Sequence, residues 1–195
     1  MLNENVRVQN EVAVTSLMRE ALSPQFSHLV PKVYGWEASS EFGENGWVLM
    51  ELMPGTPLGG KFPSLDPEKQ REILRQIAQI FKCIQDYKLP ESVQGYGGLN
   101  FDEAGRITVG PTAIFGSKGA CDSHATLYAE YFATQVGFSD KCDIVQGWKD
   151  TNSRARIDKF GAEGLRTLLQ KFPARPTLVH GDFGKGACKS WRPEV

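Results

Sequence analysis

Apolar positions recur at helical spacing most clearly between residues 66 and 87. Ile73, Ile77, Ile80, Ile84 and Tyr87 follow one another at intervals of 4, 3, 4 and 3, which lines one face of a helix. Leu74 and Phe81 widen that stripe, so the helix is expected to pack on a core. Asp66 stands where an N-cap belongs, and Pro67 takes the first helical position, where its missing N–H costs nothing. An earlier helix is expected to start at an Asn10 cap and to run through Val12, Val14, Leu17, Met18 and Leu22 until Ser23-Pro24 stops it. Glu11 would then lie in its first turn, where the helix dipole favours a carboxylate.

Strand-like runs lie between these helices. Pro31 to Glu37 reads as a short strand, and Trp47 to Leu52 as a near-continuous apolar one, stopped by Pro54-Gly55-Thr56-Pro57. Leu99-Asn100-Phe101 and Arg106 to Val109 flank Asp102-Glu103-Ala104-Gly105, a hairpin signal. Thr126 to Val136 predicts a helix with Tyr128, Tyr131 and Phe132 on its buried side. A further helix is expected through Ile157, Phe160, Leu165, Leu168, Leu169 and Phe172, weakened by Gly161 and Gly164. Thr177-Leu178-Val179 then reads as a short strand entering His180-Gly181-Asp182. No internal repeat interrupts this order.

Composition changes little in that picture. The 195 residues are 41% hydrophobic and 23% charged, ordinary for a globular chain able to bury a core. A formal net charge of -1 gives no electrostatic reason to expect nucleic acid as a partner. No run reaches the roughly 18 apolar residues of a membrane span, and Met1 to Glu11 lacks the apolar core of a signal peptide. A soluble, cytoplasmic protein without membrane partners is therefore expected. Cys83, Cys121, Cys142 and Cys188 show no Cys-x-x-Cys pair, and His28, His124 and His180 are equally scattered. Reduced thiols and no metal-ligand spacing are the expectation.

Two motifs bear on chemistry. Gly55 to Phe62 nearly spells a P-loop, but Phe62 replaces the magnesium-binding hydroxyl, Pro57 removes a backbone donor and Pro63 spoils the helix start. A linker is the better reading. His180-Gly181-Asp182 ends an apolar strand, placing a carboxylate at a strand-to-loop exit where it can reach a substrate. A histidine beside a buried strand is, by residue type alone, more often a hydrogen-bonded core residue. A Ser-His-Asp hydrolase is disfavoured, because no Gly-x-Ser-x-Gly elbow occurs.

With these upstream segments in order, His180-Gly181-Asp182 resembles the catalytic loop of the aminoglycoside phosphotransferase and choline kinase-like superfamily, in a fungal-type member. Asn10-Glu11-Val12 resembles the start of the small-lobe helix whose Glu pairs with the phosphate-binding lysine. Val30 to Trp36 resembles the strand that follows it. Trp47 to Leu58 resembles the strand and hinge where adenine hydrogen-bonds to backbone. Gly95-Tyr96-Gly97-Gly98-Leu99 and Val109-Gly110-Pro111-Thr112 complete the likeness, which covers roughly residues 9 to 183. On residue type alone Glu11 is a solvated carboxylate and Met50 to Met53 a buried strand.

The resemblance implies a protein kinase-like α+β fold of two lobes, here incomplete, and ATP-dependent phosphoryl transfer to a small-molecule hydroxyl. The lobes are expected at residues 1–53 and 66–183, with a hinge at 54–65 and a disordered tail outside the family pattern at 184–195. Asp182 and His180 would be catalytic, and Glu11, Glu51, Leu52 and Met53 would bind nucleotide. ATP and Mg2+ are the implied cofactors, and a nucleotide and a small-molecule acceptor the implied partners. The sequence departs from the family at three points. No Gly-rich hairpin or lysine strand precedes Glu11, and Arg7 is too near it to come from a separate strand. Ala187 stands five residues after Asp182, where a magnesium-binding Asn belongs. No later magnesium-binding Asp follows Phe183. The expectation is therefore a truncated chain that folds poorly and turns over negligibly; a non-catalytic, pseudokinase-like protein that binds nucleotide or a partner is the alternative.

Overall fold

A computed structural model describes residues 4–38, 45–112, 119–148, 151–172, 174–179 and 189–190. Contacts divide the chain into two compact units. One gathers residues 1–13, 37–47 and 90–176; the other gathers 14–36, 48–89 and 177–195. Among the described residues the architecture is α+β, helices with three separate two-stranded sheets.

Helix α1 spans Glu4–Ala21, so it starts well before the expected Asn10 cap. Asn10 has a different task inside the helix: its Nδ2 donates to the Leu99 carbonyl at 3.2 Å, a partner that no local pattern reveals. The apolar face of α1 buries Val8, Val12, Ala13, Leu17 and Met18, with Leu22 just beyond, at spacings that keep one side of a helix inward. β1 (Val33–Glu37) pairs with β2 (Trp47–Met50). β2 ends two residues short of the expected Leu52. Its alternation leaves Trp47 and Leu49 exposed at 49% and 59%, so it is a one-sided strand and not a fully buried one.

β3 (Thr56–Pro57) pairs antiparallel with β6 (Lys189–Ser190), within the segment expected to lie outside the family pattern. The other residues of 184–195 fall outside the described residues. In the would-be P-loop, Lys61 Nζ donates to Thr56 Oγ1 at 3.0 Å, and no α-helix begins until Pro67. That geometry suits the linker reading.

α2 (Pro67–Asp86) starts as the sequence predicts, with the Asp66 carboxylate accepting from Lys69 N at 2.9 Å. That hydrogen bond holds Asp66 below the usual carboxylate range. Its apolar stripe is less deeply packed than expected: Ile84 is buried, Ile73, Ile77 and Ile80 are half-buried, and Leu74 is 54% exposed. Glu68–Arg71, Glu72–Arg75 and Lys82–Asp86 pair along its solvent side, where water screens them and they add little to stability.

β4 (Gly98–Phe101) and β5 (Ile107–Gly110) form the predicted hairpin, with Phe101 opposite Ile107 and Gly98 opposite Gly110. Asp102 organises its loop by accepting from Ala104 N at 3.0 Å and from Arg106 N and Nε, both at 2.8 Å. Gly105 supplies the positive φ of 73° that the turn requires.

α3 covers His124–Lys141, longer at both ends than predicted, and Ser123 caps it by accepting from Thr126 N at 3.1 Å. Tyr131 and Phe132 are half-buried, but Tyr128 is 52% exposed and not part of the buried side. The following helix is composite: α4 (Ser153–Lys159), a π-turn (Phe160–Gly164) and α5 (Leu165–Gln170). Gly161 and Gly164 fall in the π-turn, where they serve close packing. A Cβ on Gly161 would lie 2.7 Å from Phe132 Cε1, and Phe132 meets Phe160 edge-on at 5.8 Å between centroids. Arg154 ties α4 to α3 through a forked pair with Asp140, at 3.0 and 2.7 Å, and lies over the Trp148 ring. Thr177 to Val179 forms no strand; Leu178 is nevertheless buried while Val179 is 72% exposed.

Two predictions follow from these contacts. Gly161→Ala gains up to about 1 kcal/mol in helix propensity but incurs an overpacking cost of about 1–3 kcal/mol against Phe132. It should therefore lower stability in urea denaturation by about 1–2 kcal/mol; an unchanged midpoint would show that the π-turn absorbs the methyl group. The Arg106 hydrogen bonds, its backbone N–H first, hold Asp102 below its ordinary pKa. That stability is present above the unfolded pKa and is lost as pH falls through the folded one. Protection factors of the amides at residues 102–106, which correct for the intrinsic exchange rate at each pH, should therefore fall below about pH 4 in the wild type, and Asp102→Asn should flatten that acid dependence.

Candidate functional site

The expected site residues belong to three stretches of chain. Glu11 is in the first unit, on α1, and its Oε2 accepts from Arg7 NH1 at 3.2 Å, one helical turn earlier. Because α1 starts at Glu4, Glu11 is a mid-helix residue and not a first-turn carboxylate. Both partners are partly exposed, at 37% and 43% of their side chains, so the pair orients the carboxylate more than it stabilises the fold.

Glu51, Leu52 and Met53 lie in the second unit, just past β2. Glu51 N donates to Lys32 O at 2.8 Å, while Glu51 Oε2 accepts from Lys32 N at 3.0 Å. Lys32 therefore holds Glu51 by two bonds through its own backbone, a partnership that sequence reading missed because it joins positions nineteen residues apart. The Glu51 amide is thus committed to Lys32 and is not a donor for a bound base. Leu52 turns its side chain to solvent at 90% exposure, and the backbone runs on without strand pairing to Gly55, whose φ is 109°.

His180 and Asp182 lie outside the described residues, as does Ala187. The approach to them is described: Leu178 is buried, and Thr177 Oγ1 is buried without a hydrogen-bond partner among the described residues. Among the described residues no three His, Cys, Asp or Glu side chains converge as a metal site requires. Ala187 carries no ligand atom, so the residue at the expected Asn position does not fit a magnesium ion. Among the described residues Cys83, Cys121 and Cys142 form no disulfide.

The second unit also has a groove of about 440 Å³ between the end of α1 and the last turns of α2, lined by Phe26, Lys82, Cys83, Asp86 and Tyr87 among others. At its rim Tyr87 OH donates to Glu20 Oε2 at 2.6 Å. Burial, then that bond, pushes the phenol up to about 12. Nothing in the groove marks a reacting group.

A family model described as "Phosphotransferase enzyme family" matches residues 3–186. The chain belongs to that family. The match spans the α1 carboxylate, the post-β2 segment and His180-Gly181-Asp182, and so supports the likeness to aminoglycoside phosphotransferases and choline kinase-like proteins. It also supports the kinase-like α+β class for this mixture of helices and small sheets. No curated protein and no solved structure gives a significant match. Among the described residues no helix is long and apolar enough to cross a membrane.

Because the Arg7–Glu11 pair is exposed, Glu11→Gln should change unfolding free energy by no more than about 0.5 kcal/mol. Thermal melts of the two proteins should nearly coincide; a large drop would show that Glu11 is a structural residue.

Proposed function

We propose that this phosphotransferase-family chain derives from ATP-dependent kinases of small-molecule hydroxyls and has kept nucleotide recognition more fully than turnover. The observation that carries the reading is the family match, which includes His180-Gly181-Asp182 in its span. In this reading residues 1–53 and 66–183 correspond to the two lobes, with a hinge at 54–65. The Glu51 carbonyl and the backbone of Leu52 and Met53 offer hydrogen bonds to adenine, and Glu11 orients a cation toward the phosphates. Asp182 is the base that takes the acceptor hydroxyl proton, with His180 supporting its loop. ATP supplies the phosphoryl group, and magnesium would ordinarily neutralise its developing charge.

Ala187 favours the non-catalytic alternative for this particular sequence. Phosphoryl transfer depends on positioning and charge neutralisation, and Ala187 withholds one of the expected metal ligands. A pseudokinase-like chain that binds nucleotide with negligible transfer is therefore the second reading.

Magnesium–ATP at a hundredfold over its Kd should add about 2.7 kcal/mol to stability and raise the melting temperature accordingly. Glu11→Ala should reduce that rise, whereas Asp182→Ala should leave most of it, since a base acts on the acceptor and not on ATP. No rise in the wild type would remove both readings. Steady phosphorylation of any small hydroxyl compound, abolished by Asp182→Ala, would establish the catalytic reading over the pseudokinase one.

A further inference from the structure

We infer that the β4–β5 hairpin positions Glu11, with Gln9 and Asn10 as the positioning residues that latch α1 to the backbone of β4. The inference rests on the proposed nucleotide site for its functional consequence and on the first unit alone for its geometry.

Asn10 Nδ2 donates to Leu99 O at 3.2 Å, and Phe101 N donates to Gln9 Oε1 at 3.3 Å. Residues two apart on a strand present their backbone to the same edge. Asp102 N bonds to Arg106 O across the hairpin, so the ladder's alternation turns Leu99 and Phe101 away from β5. Two adjacent helical side chains thus read one donor and one acceptor along a single strand edge. The bonds are partly sheltered, because Val8, Val12 and Leu99 around them are 0%, 3% and 7% exposed.

The Gly97-Gly98 pair fits the same contact. A Cβ on Gly98 would lie 2.1 Å from Pro111 O and 3.2 Å from Asn10 Nδ2, and one on Gly97 would lie 2.6 Å from Gly110 O. No side chain is accommodated at the open end of the hairpin, where Gly98 faces Pro111 and Asn10. The Gly-Tyr-Gly-Gly stretch is therefore explained by close backbone approach and not by ligand contact.

Successive residues of an α-helix are separated by about 100° of rotation. Holding Gln9 and Asn10 against β4 therefore fixes the direction of Glu11, which remains at the surface with Arg7. A slip of one residue would swing the carboxylate by about a quarter of a turn or more.

Hydrogen exchange on the full chain, read by NMR, tests the latch. Gln9→Met removes the side-chain amide, and with it the acceptor for Phe101 N, and should accelerate exchange of the Phe101 amide about tenfold or more, with α2 amides unchanged. Gln9→Glu keeps the acceptor and should restore protection. Asn10→Asp replaces the donor facing Leu99 O and should loosen residues 98–101 in the same way. If Asn10→Asp unfolds the chain, the two Gln9 variants decide. Unchanged Phe101 exchange in Gln9→Met overturns the latch.

Magnesium–ATP titration tests the consequence. Gln9→Met and Glu11→Gln should each weaken binding about five- to tenfold, and the double variant no further, since both act through one carboxylate. Additive losses, or an unaffected Gln9→Met, overturn the positioning role. If the wild type binds no ATP, the nucleotide reading fails, and hydrogen exchange alone upholds or overturns the latch.

Discussion

Burial along one face of α1 is the constraint on which the rest of the chain depends. Six of the twelve buried hydrophobic residues among those described, Val8, Val12, Ala13, Leu17, Met18 and Leu22, lie on this helix or directly after it. α2 is longer and more regularly patterned, yet contributes one. Truncating a side chain such as Leu17, which is 1% exposed, loses its buried apolar area and leaves a cavity that the surroundings fill only in part. The polar positions of α1 are set by the same face. With Val8 and Val12 inward, Gln9 and Asn10 reach the β4 edge, and Glu11 is left to solvent beside Arg7.

The sheets have the opposite character. Each has two strands, and a two-stranded sheet is marginal in water unless something packs on it. β4–β5 gains that support from the first part of α1 and from the Asp102 loop. β1–β2 gains less: Tyr34, Trp47 and Leu49 remain 60%, 49% and 59% exposed, even though Glu51 and Lys32 extend its pairing. Apolar character in these strands therefore does not translate into depth, and the post-β2 segment follows a sheet that is covered on one side at most.

Local chemistry was legible at two corners where the partner is near in sequence. Asp66 and Pro67 start α2 as residue type predicts, because a cap bond joins residues three apart. Asp102 and Gly105 build the hairpin turn for the same reason. The family was legible too, since motif order survives without any knowledge of contacts. Asn10 misled because its side chain serves equally as a cap or as a long-range donor, and the Leu99 carbonyl is 89 residues away. Gly161 and Gly164 read as helix weakeners, when the rings of Phe132 and Phe160 leave no room for a Cβ at either position.

By itself the sequence determined the main helices and the β4–β5 hairpin, the two capped or turned corners and membership of the phosphotransferase family. Those depend on periodicity and on bonds spanning a few residues. Only the tertiary structure decided which apolar faces are covered, where α1 begins, and that Gln9 and Asn10 bind the hairpin beside Glu11. Burial and long-range hydrogen bonds are properties of pairs of surfaces, and a one-dimensional pattern specifies one surface of each pair without naming the other.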